Sequence, residues 1–275
     1  KLGKYEEAIK DYDQSIRIDP EDSGTFYNRG NSKSDLGKKE EAIKDYDKAI
    51  RIDPEDSSTF YNRGLAKSEL GKHEEAIKDY DQAIRIDPED SSAFYNRGIA
   101  KSKLGKYEEA IKDYDQSIII DPEYSIALNN RGLAKSKLGK KEEAIKDYDQ
   151  AIRINPEDSF AFYNRGLAKS ELGKYDAAIK DYDQAIRIDP EDSFAFYNRG
   201  LAKSELGKHE EAIKDYDQAI RIDPEDSDAL QNRGLAKSEL GKYEEAIKDY
   251  DDSIKLNPID NNSKKLKKIL ENKFK

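Results

Sequence analysis

The stretch of residues 57–90, SSTFYNRGLAKSELGKHEEAIKDYDQAIRIDPED, contains the pattern that decides the fold. Apolar residues recur at helical spacing in its first half and again in its second half. Gly71 suits the left-handed backbone that ends a helix, and Pro88 cannot continue one. The stretch therefore predicts two helices, at 58–70 and 74–86, each followed by a turn.

Small residues indicate how the two helices meet. Gly64 lies inside the first helix, where glycine costs roughly 1 kcal/mol against alanine. We interpret this glycine as a point of close approach, with Ala76 of the second helix as its counterpart. Either Asp56 or Ser57 can cap the first helix by accepting a backbone N–H bond. Around the contact we expect apolar packing by Phe60, Leu70, Ile77, Tyr80, Ala83 and Ile84.

The same pattern recurs along the chain with one fixed period. All eight prolines are 34 residues apart, at Pro20, Pro54, Pro88, Pro122, Pro156, Pro190, Pro224 and Pro258. One hairpin cannot bury its apolar face alone, so consecutive copies must stack into an array. The predicted divisions are the second helix of a truncated repeat at 1–22, complete repeats at 23–56, 57–90, 91–124, 125–158, 159–192, 193–226 and 227–260, and a C-terminal capping helix at 261–275.

Composition narrows the class of protein. The chain has 39% charged residues, no cysteine and a formal net charge of −10. The charge content argues against a single large core, and the lack of cysteine excludes disulfides and thiolate metal sites. No apolar stretch reaches the ~20 residues that a membrane helix needs. The negative charge opposes binding to nucleic acid phosphates. We predict no cofactor, no metal site and no membrane insertion, with the cytoplasm as the default location.

The residues at fixed positions of the repeat resemble the tetratricopeptide repeat family. The match in 57–90 departs from the family at Arg63 and Lys67, which replace the usual leucine and tyrosine of the first helix. The resemblance implies an all-α, right-handed superhelical solenoid of about 7.5 repeats, with a concave groove lined by first helices. It also implies a protein-binding scaffold and no enzyme. The residues that carry it are Phe60, Gly64, Leu70, Gly71, Ala76, Tyr80, Ala83 and Pro88.

An asparagine occupies one position of every complete first helix. A primary amide offers a donor and an acceptor, so it can pair with both polar groups of a peptide unit. The column resembles the asparagine ladder of the O-linked N-acetylglucosamine transferase superhelix, which grips extended peptide backbone. The alternative is a solvated polar face inherited by duplication. The predicted peptide-binding asparagines are Asn28, Asn62, Asn96, Asn130, Asn164, Asn198 and Asn232.

The arginine that follows each asparagine has a different interpretation. The second helix carries an aspartate at one fixed position, as Arg63 and Asp79 illustrate. We predict an arginine–aspartate ion pair inside each hairpin. Removing one partner of such a pair, where it is buried, costs about 3–5 kcal/mol because the other charge is left uncompensated.

The groove positions that differ between repeats would determine which ligand the chain binds. An apolar aromatic patch is predicted, and exposed patches of this kind mark contacts; the alternative is that its rings pack on each other across adjacent repeats. Lys103 and Lys137 make the middle of the groove basic, which suits a ligand with an acidic stretch. The patch consists of Phe160, Tyr163, Leu167, Phe194, Tyr197 and Leu201.

His73 and His209 are interpreted as surface variants and not as metal ligands.

The two ends of the array differ from its middle. Residues 261–275 are expected to bury one helical face, formed by Leu266, Ile269, Leu270 and Phe274. At the other end, a second helix with no first helix before it is expected to leave its apolar side chains uncovered, namely Ile9, Tyr12 and Ile16.

The sequence therefore predicts a non-enzymatic scaffold that binds a protein or an extended peptide in the groove. Two alternatives stay open. The chain could be a self-assembling module whose end helices stack on those of a neighbouring molecule, or it could be the targeting arm of a larger chain that carries a catalytic domain.

Overall fold

The structure, a computed structural model, describes residues 2–259 and 261–273. These residues form sixteen helices and no strand. The helices are α1 Leu2–Ile18, α2 Ser23–Asp35, α3 Lys39–Ile52, α4 Ser57–Glu69, α5 His73–Ile86, α6 Ser91–Lys103, α7 Tyr107–Ile120, α8 Ser125–Lys137, α9 Lys141–Ile154, α10 Ser159–Glu171, α11 Tyr175–Ile188, α12 Ser193–Glu205, α13 His209–Ile222, α14 Ser227–Glu239, α15 Tyr243–Leu256 and α16 Asn261–Lys273.

The helices belong to two compact units, Lys1–Leu138 and Gly139–Lys275. In the first unit the even-numbered helices α2, α4 and α6 each pack against the next helix in the chain, and that helix packs against the following even-numbered one. The second unit repeats this order from α9 to α16. We call α2, α4, α6, α8, α10, α12 and α14 the first helices, and their surface the first-helix face. The predicted all-α solenoid of helical hairpins is confirmed.

Caps and turns explain where the helices begin and end. Asp56 caps α4, because its carboxylate accepts a hydrogen bond from the backbone N–H of Ser58. Aspartate and not the adjacent serine is thus the cap. Gly71 has a φ of +75°, which confirms the predicted left-handed residue after α4. Only α8 among the first helices has a tyrosine, Tyr124, at its N-cap, and there the cap side chain makes no hydrogen bond to the helix.

A glycine–tyrosine contact recurs in the hairpins α2–α3, α4–α5, α6–α7, α10–α11, α12–α13 and α14–α15. In α4, a Cβ added to Gly64 would lie 2.8 Å from Cε1 of Tyr80. The ring of Tyr80 needs this space, a contact that was not predicted. Ala76, the predicted counterpart of Gly64, packs with Tyr80 and with Ala100 of the following repeat. In the hairpin of α14 and α15, the backbone oxygen of the equivalent alanine, Ala246, lies 3.2 Å from a Cβ added to Gly234. Glycine is required because the ring is fully buried and close packing leaves it no room to move.

The C-terminal helix α16 occupies the place of a further first helix. Leu270 is buried and Leu266 is half-buried against Tyr250, as predicted for a capping helix. Ile269, however, is 45% exposed, so its predicted place on the buried face is wrong. It lies one residue before Leu270, and a helix turns about 100° per residue, which directs it towards solvent. Phe274 lies outside the described residues.

The helix α1 occupies the place of a second helix and packs against α2. Ile9, Tyr12 and Ile16 are each half-buried, so the prediction that they are uncovered is only partly right. The equivalent tyrosine of the next repeat, Tyr46, is 1% exposed. The difference arises because Tyr46 contacts first helices on both sides, whereas Tyr12 has α2 alone.

Candidate functional site

Ion pairs tie first helices to the second helices on both of their sides. Arg199 of α12 donates to Asp215 of α13 through Nε at 3.0 Å and Nη2 at 2.6 Å, and through Nη1 to Asp183 of α11 at 2.7 Å. Burial acts to lower the pKa of Arg199, but the hydrogen bonds and negative charges of Asp215 and Asp183 together outweigh it, and the pKa is raised. Lys203 adds a second cation, 2.8 Å from Asp215.

The predicted arginine–aspartate pair is confirmed in six hairpins, and in each of these the same arginine also reaches the aspartate of the preceding second helix. That second contact, between neighbouring repeats, was not predicted. The pairs within hairpins are Arg29–Asp45, Arg63–Asp79, Arg97–Asp113, Arg165–Asp181, Arg199–Asp215 and Arg233–Asp249.

The asparagine column uses its donors inside the protein. Nδ2 of Asn198 donates to the hydroxyl of Tyr163 in the preceding repeat at 3.1 Å, and to the backbone carbonyl of Phe194 at 2.9 Å. Asn198 therefore cannot offer the donor and acceptor together that a peptide unit would need. Its Oδ1 accepts no hydrogen bond from any residue that the structure describes, so this atom alone is left for a ligand.

The same tyrosine contact recurs along the column. The amide donates to the tyrosine 35 residues earlier in the pairs Asn62–Tyr27, Asn96–Tyr61, Asn130–Tyr95, Asn198–Tyr163 and Asn232–Tyr197. Asn28 differs: it is exposed and has no side-chain partner among the described residues, where α1 is the helix before α2. Asn164 occupies the equivalent position of α10 and is half-buried.

The predicted aromatic patch divides into exposed and packed members. Phe160 is 68% exposed and Phe194 is 63% exposed, at equivalent positions of α10 and α12. Tyr163 instead packs on Tyr182, with the ring centres 6.1 Å apart, and Tyr197 packs on Tyr216 in the same way. The leucines Leu167 and Leu201 are likewise half-buried against the core. These four residues thus contact the core, and the ring contacts join α10 to α11 and α12 to α13 within single repeats, whereas the alternative was that the rings of the patch pack on each other across adjacent repeats.

Three cavities of similar construction open on the first helices. In the first unit one lies between α2 and α4, with Asp35 and Glu69 on its walls, and one lies between α6 and α8; in the second unit one lies between α12 and α14. The cavity between α6 and α8 is called the cavity of the first unit below. The cavity of the first unit has a volume of about 370 Å3 and lies between α6 and α8, with Lys103 and Lys137 on its walls. The cavity of the second unit has about 270 Å3 and lies between α12 and α14, with Glu205 and Glu239 at the equivalent positions. Tyr114 and Tyr216, the buried tyrosines of the intervening second helices, also line them.

His209 lines the cavity of the second unit, where it is half-buried, and its Nδ1 atom is fully enclosed without a hydrogen-bond partner among the described residues. The interpretation of this histidine as a surface variant therefore needs correction, since the residue takes part in the cavity wall. Among the described residues no group of three His, Asp or Glu side chains is placed to hold a metal ion. The residue at the position of Lys103 is basic in some repeats and acidic in others. This change of charge is the sequence signal that could have indicated the cavities.

Family models match the chain along most of its length. A model described as "TPR repeat" matches residues 1–37, 30–71 and 66–105, and a model described as "Tetratricopeptide repeat" matches 91–124, 125–158, 159–192, 193–226 and 227–260. The chain belongs to the tetratricopeptide repeat family. Proteins of this family are generally non-catalytic scaffolds that bind protein or peptide partners. Comparison with curated protein sequences gave no match.

Solved structures share the fold. One is YrrB, described as "a TPR protein with an unusual peptide-binding site", with 26% identity over 67% of this chain and 95% of its own, and a TM-score of 0.57. MamA has 26% identity, covering 61% and 92%, with a TM-score of 0.57. A tetratricopeptide repeat protein from Parabacteroides merdae has 22% identity, covering 90% and 98%, with a TM-score of 0.67, and shows the fold alone. Within residues 2–259 and 261–273, every helix is too short or too polar to span a bilayer.

Proposed function

We propose that this chain is a non-catalytic scaffold that binds an extended peptide or protein segment on its first-helix face. In the second unit, the segment would lie across α10 and α12, where Phe160 and Phe194 offer their rings to its apolar side chains. Oδ1 of Asn198 would accept a hydrogen bond from a backbone N–H of the segment. The asparagine column thus keeps a part of its predicted role, as an acceptor that the tyrosine contact has already oriented.

The observation that carries this proposal is the exposure of the two phenylalanines. Phe160 and Phe194 expose 68% and 63% of their surface, although phenylalanine is usually buried. They occupy the same position in consecutive first helices, where α2 and α4 have Gly24 and Ser58. Aromatic side chains are enriched among residues that dominate binding energy. An exposed pair at a position that does not need an aromatic residue for folding is best explained by a contact with another molecule.

Two further findings support the class of ligand. YrrB, the structural neighbour described as having a peptide-binding site, matches 67% of the length of the present chain. The formal net charge of −10 would repel phosphate, so we propose a protein or peptide and no nucleic acid. Cytoplasmic localisation stays a prediction of the sequence.

Unbiased peptide display selection on the folded chain tests the proposal. The parent should enrich a motif with apolar residues, and a Phe160→Ser, Phe194→Ser variant should lose it. Ile119→Ser is the matched control, because Ile119 is also 68% exposed but lies on the second helix α7. This control should keep the motif. Failure of the parent to enrich any peptide, or identical enrichment by the double variant, would contradict the proposal.

Self-assembly through the end helices has less support. A first helix accepts a second helix by placing glycine against its tyrosine, as Gly234 does with Tyr250. At the equivalent position, α16 has Lys268, whose side chain would occupy the space that the ring of Tyr12 from another copy needs. Stacking of α1 on α16 in the register of the array would therefore require a different contact.

A further inference from the structure

The cavity of the first unit combines cationic, aromatic and hydroxyl groups. Lys103 and Lys137 lie on its two walls, at equivalent positions of α6 and α8. Tyr107 and Tyr114 contribute rings to its lining, and Ser102 contributes a hydroxyl. With a volume of about 370 Å3, the cavity has room for one side chain of a bound segment together with water.

The two lysines are exposed, and neither forms an ion pair with any residue in the described part of the chain. In other repeats the equivalent residue does form an ion pair. Glu69 and Glu171 take the position of Lys137, and each pairs with a lysine at the position of Tyr107: Nζ of Lys39 is 2.5 Å from Oε2 of Glu69, and Lys141 pairs with Glu171. The chain as a whole is acidic, with a formal net charge of −10. Two unpaired ammonium groups on one cavity are therefore a local feature that the overall composition does not explain.

We infer that this cavity binds the carboxylate of an aspartate or glutamate side chain of a peptide segment bound across α6 and α8, held between the ammonium groups of Lys103 and Lys137. The inference rests on the proposed function and adds the charge of the ligand at one defined place. Charge complementarity supports it, because a single carboxylate is attracted by both lysines and relieves their mutual repulsion.

Hydroxyl groups near the lysines can complete the binding of the carboxylate. The hydroxyl oxygens of Ser102 and Tyr114 are 3.2 Å apart, so one donates to the other and the second hydrogen is available. Burial raises the pKa of Tyr114 to about 12, and the hydrogen bond with Ser102 only partly opposes this. Tyr114 therefore stays protonated near neutral pH and can act as a donor.

The cavity of the second unit serves as an internal comparison. Glu205 and Glu239 replace the lysines there, and neither glutamate forms an ion pair with a described residue. A carboxylate would be repelled at this cavity. The selectivity for an acidic side chain should therefore depend on Lys103 and Lys137 and not on the shape that the two cavities share.

The test uses peptides that the full chain selects from a random 12-residue display library. In three enriched peptides, each Asp or Glu is changed singly to Asn or Gln, and binding is measured by isothermal titration calorimetry. In each peptide, one such change should weaken binding to the parent about tenfold. The same change should alter binding to a Lys103→Met, Lys137→Met variant less than twofold.

A Lys44→Met, Lys78→Met variant is the matched control. Its lysines are exposed on the second helices α3 and α5, so it loses the same charge away from the cavity and should retain the tenfold effect. If the selected peptides bind but no acidic residue depends on Lys103 and Lys137, the inference is wrong while the proposed function stands. If the chain selects no peptide at all, both are wrong.

Discussion

Phe194 and Phe196 lie two residues apart in α12 and belong to different parts of the molecule. Phe196 is 9% exposed and packs with Ala219 and Ala229, with the guanidinium of Arg199 5.4 Å from its ring centre. Phe194 is 63% exposed on the first-helix face. The hairpin interior repeats the same contacts in copy after copy, whereas the first-helix face changes from one repeat to the next. The interior therefore carries stability, and the face is free to carry specificity.

The largest expected effect comes from the ion pairs of the interior. Asp215→Ala removes the buried carboxylate that Arg199 and Lys203 share, so that Arg199 keeps only the half-exposed Asp183, and both cations are at least four-fifths buried. We expect a loss of about 3–5 kcal/mol in the free energy of unfolding, measured by urea denaturation followed by circular dichroism. Asp217→Ala is the control: its side chain is 49% exposed, so the loss should be about 1 kcal/mol or less. Equal losses would show that burial does not determine how much each carboxylate contributes to the free energy of unfolding.

The glycine–tyrosine contact should give the second largest effect. A Cβ at position 200 would lie 2.7 Å from Cε1 of Tyr216, so Gly200→Ala overpacks the hairpin. Overpacking costs about 1–3 kcal/mol, partly offset by the roughly 1 kcal/mol that alanine gains in a helix. Gly3→Ala in α1 is the control, because nothing lies within 4 Å of the added atom. The melting temperature should fall in the first variant and stay the same or rise in the second.

The asparagine column links the interior to the first-helix face and should show a smaller effect. Asn198→Ala removes the hydrogen bonds to Tyr163 and to the carbonyl of Phe194, for a loss of about 1 kcal/mol in the free energy of unfolding. Asn28→Ala should change it by less than about 0.5 kcal/mol, since Asn28 is exposed and has no side-chain partner in the described part of the chain. Equal effects in urea denaturation would mean that the tyrosine contact contributes nothing.

The interior was predictable from the sequence because its causes are local or recur with the period. The proline spacing gives the array, Gly71 gives the turn, and the arginine and aspartate columns give the ion pair inside the hairpin. The contact of Tyr80 with Gly64 was not predicted, because spacing along two helices does not show which side chain fills the gap between them. The sequence shows which residues each helix contains, but the packing of the helices determines which residues are in contact.

The first-helix face was less predictable for a related reason. Asn198 and Tyr163 lie 35 residues apart, and each was assigned separately to the ligand. In the structure the amide of Asn198 donates a hydrogen bond to the hydroxyl of Tyr163. Its donors are therefore used inside the protein, and part of the tyrosine ring is covered. The cavities escaped detection because each is built from three helices, two of them in one repeat and one in the next. A single column cannot reveal a space that three elements enclose.

The smallest expected effect on stability falls on the residue that we expect to matter most for binding. Phe194→Ala should change the free energy of unfolding by no more than about 0.5 kcal/mol, because the ring is already mostly in water. Phe196→Ala, two residues further on, should cost about 3–5 kcal/mol, since it empties a packed site. Urea denaturation of both variants measures the difference. A large loss in Phe194→Ala would make this ring a part of the interior and remove the main support for a binding face on α12.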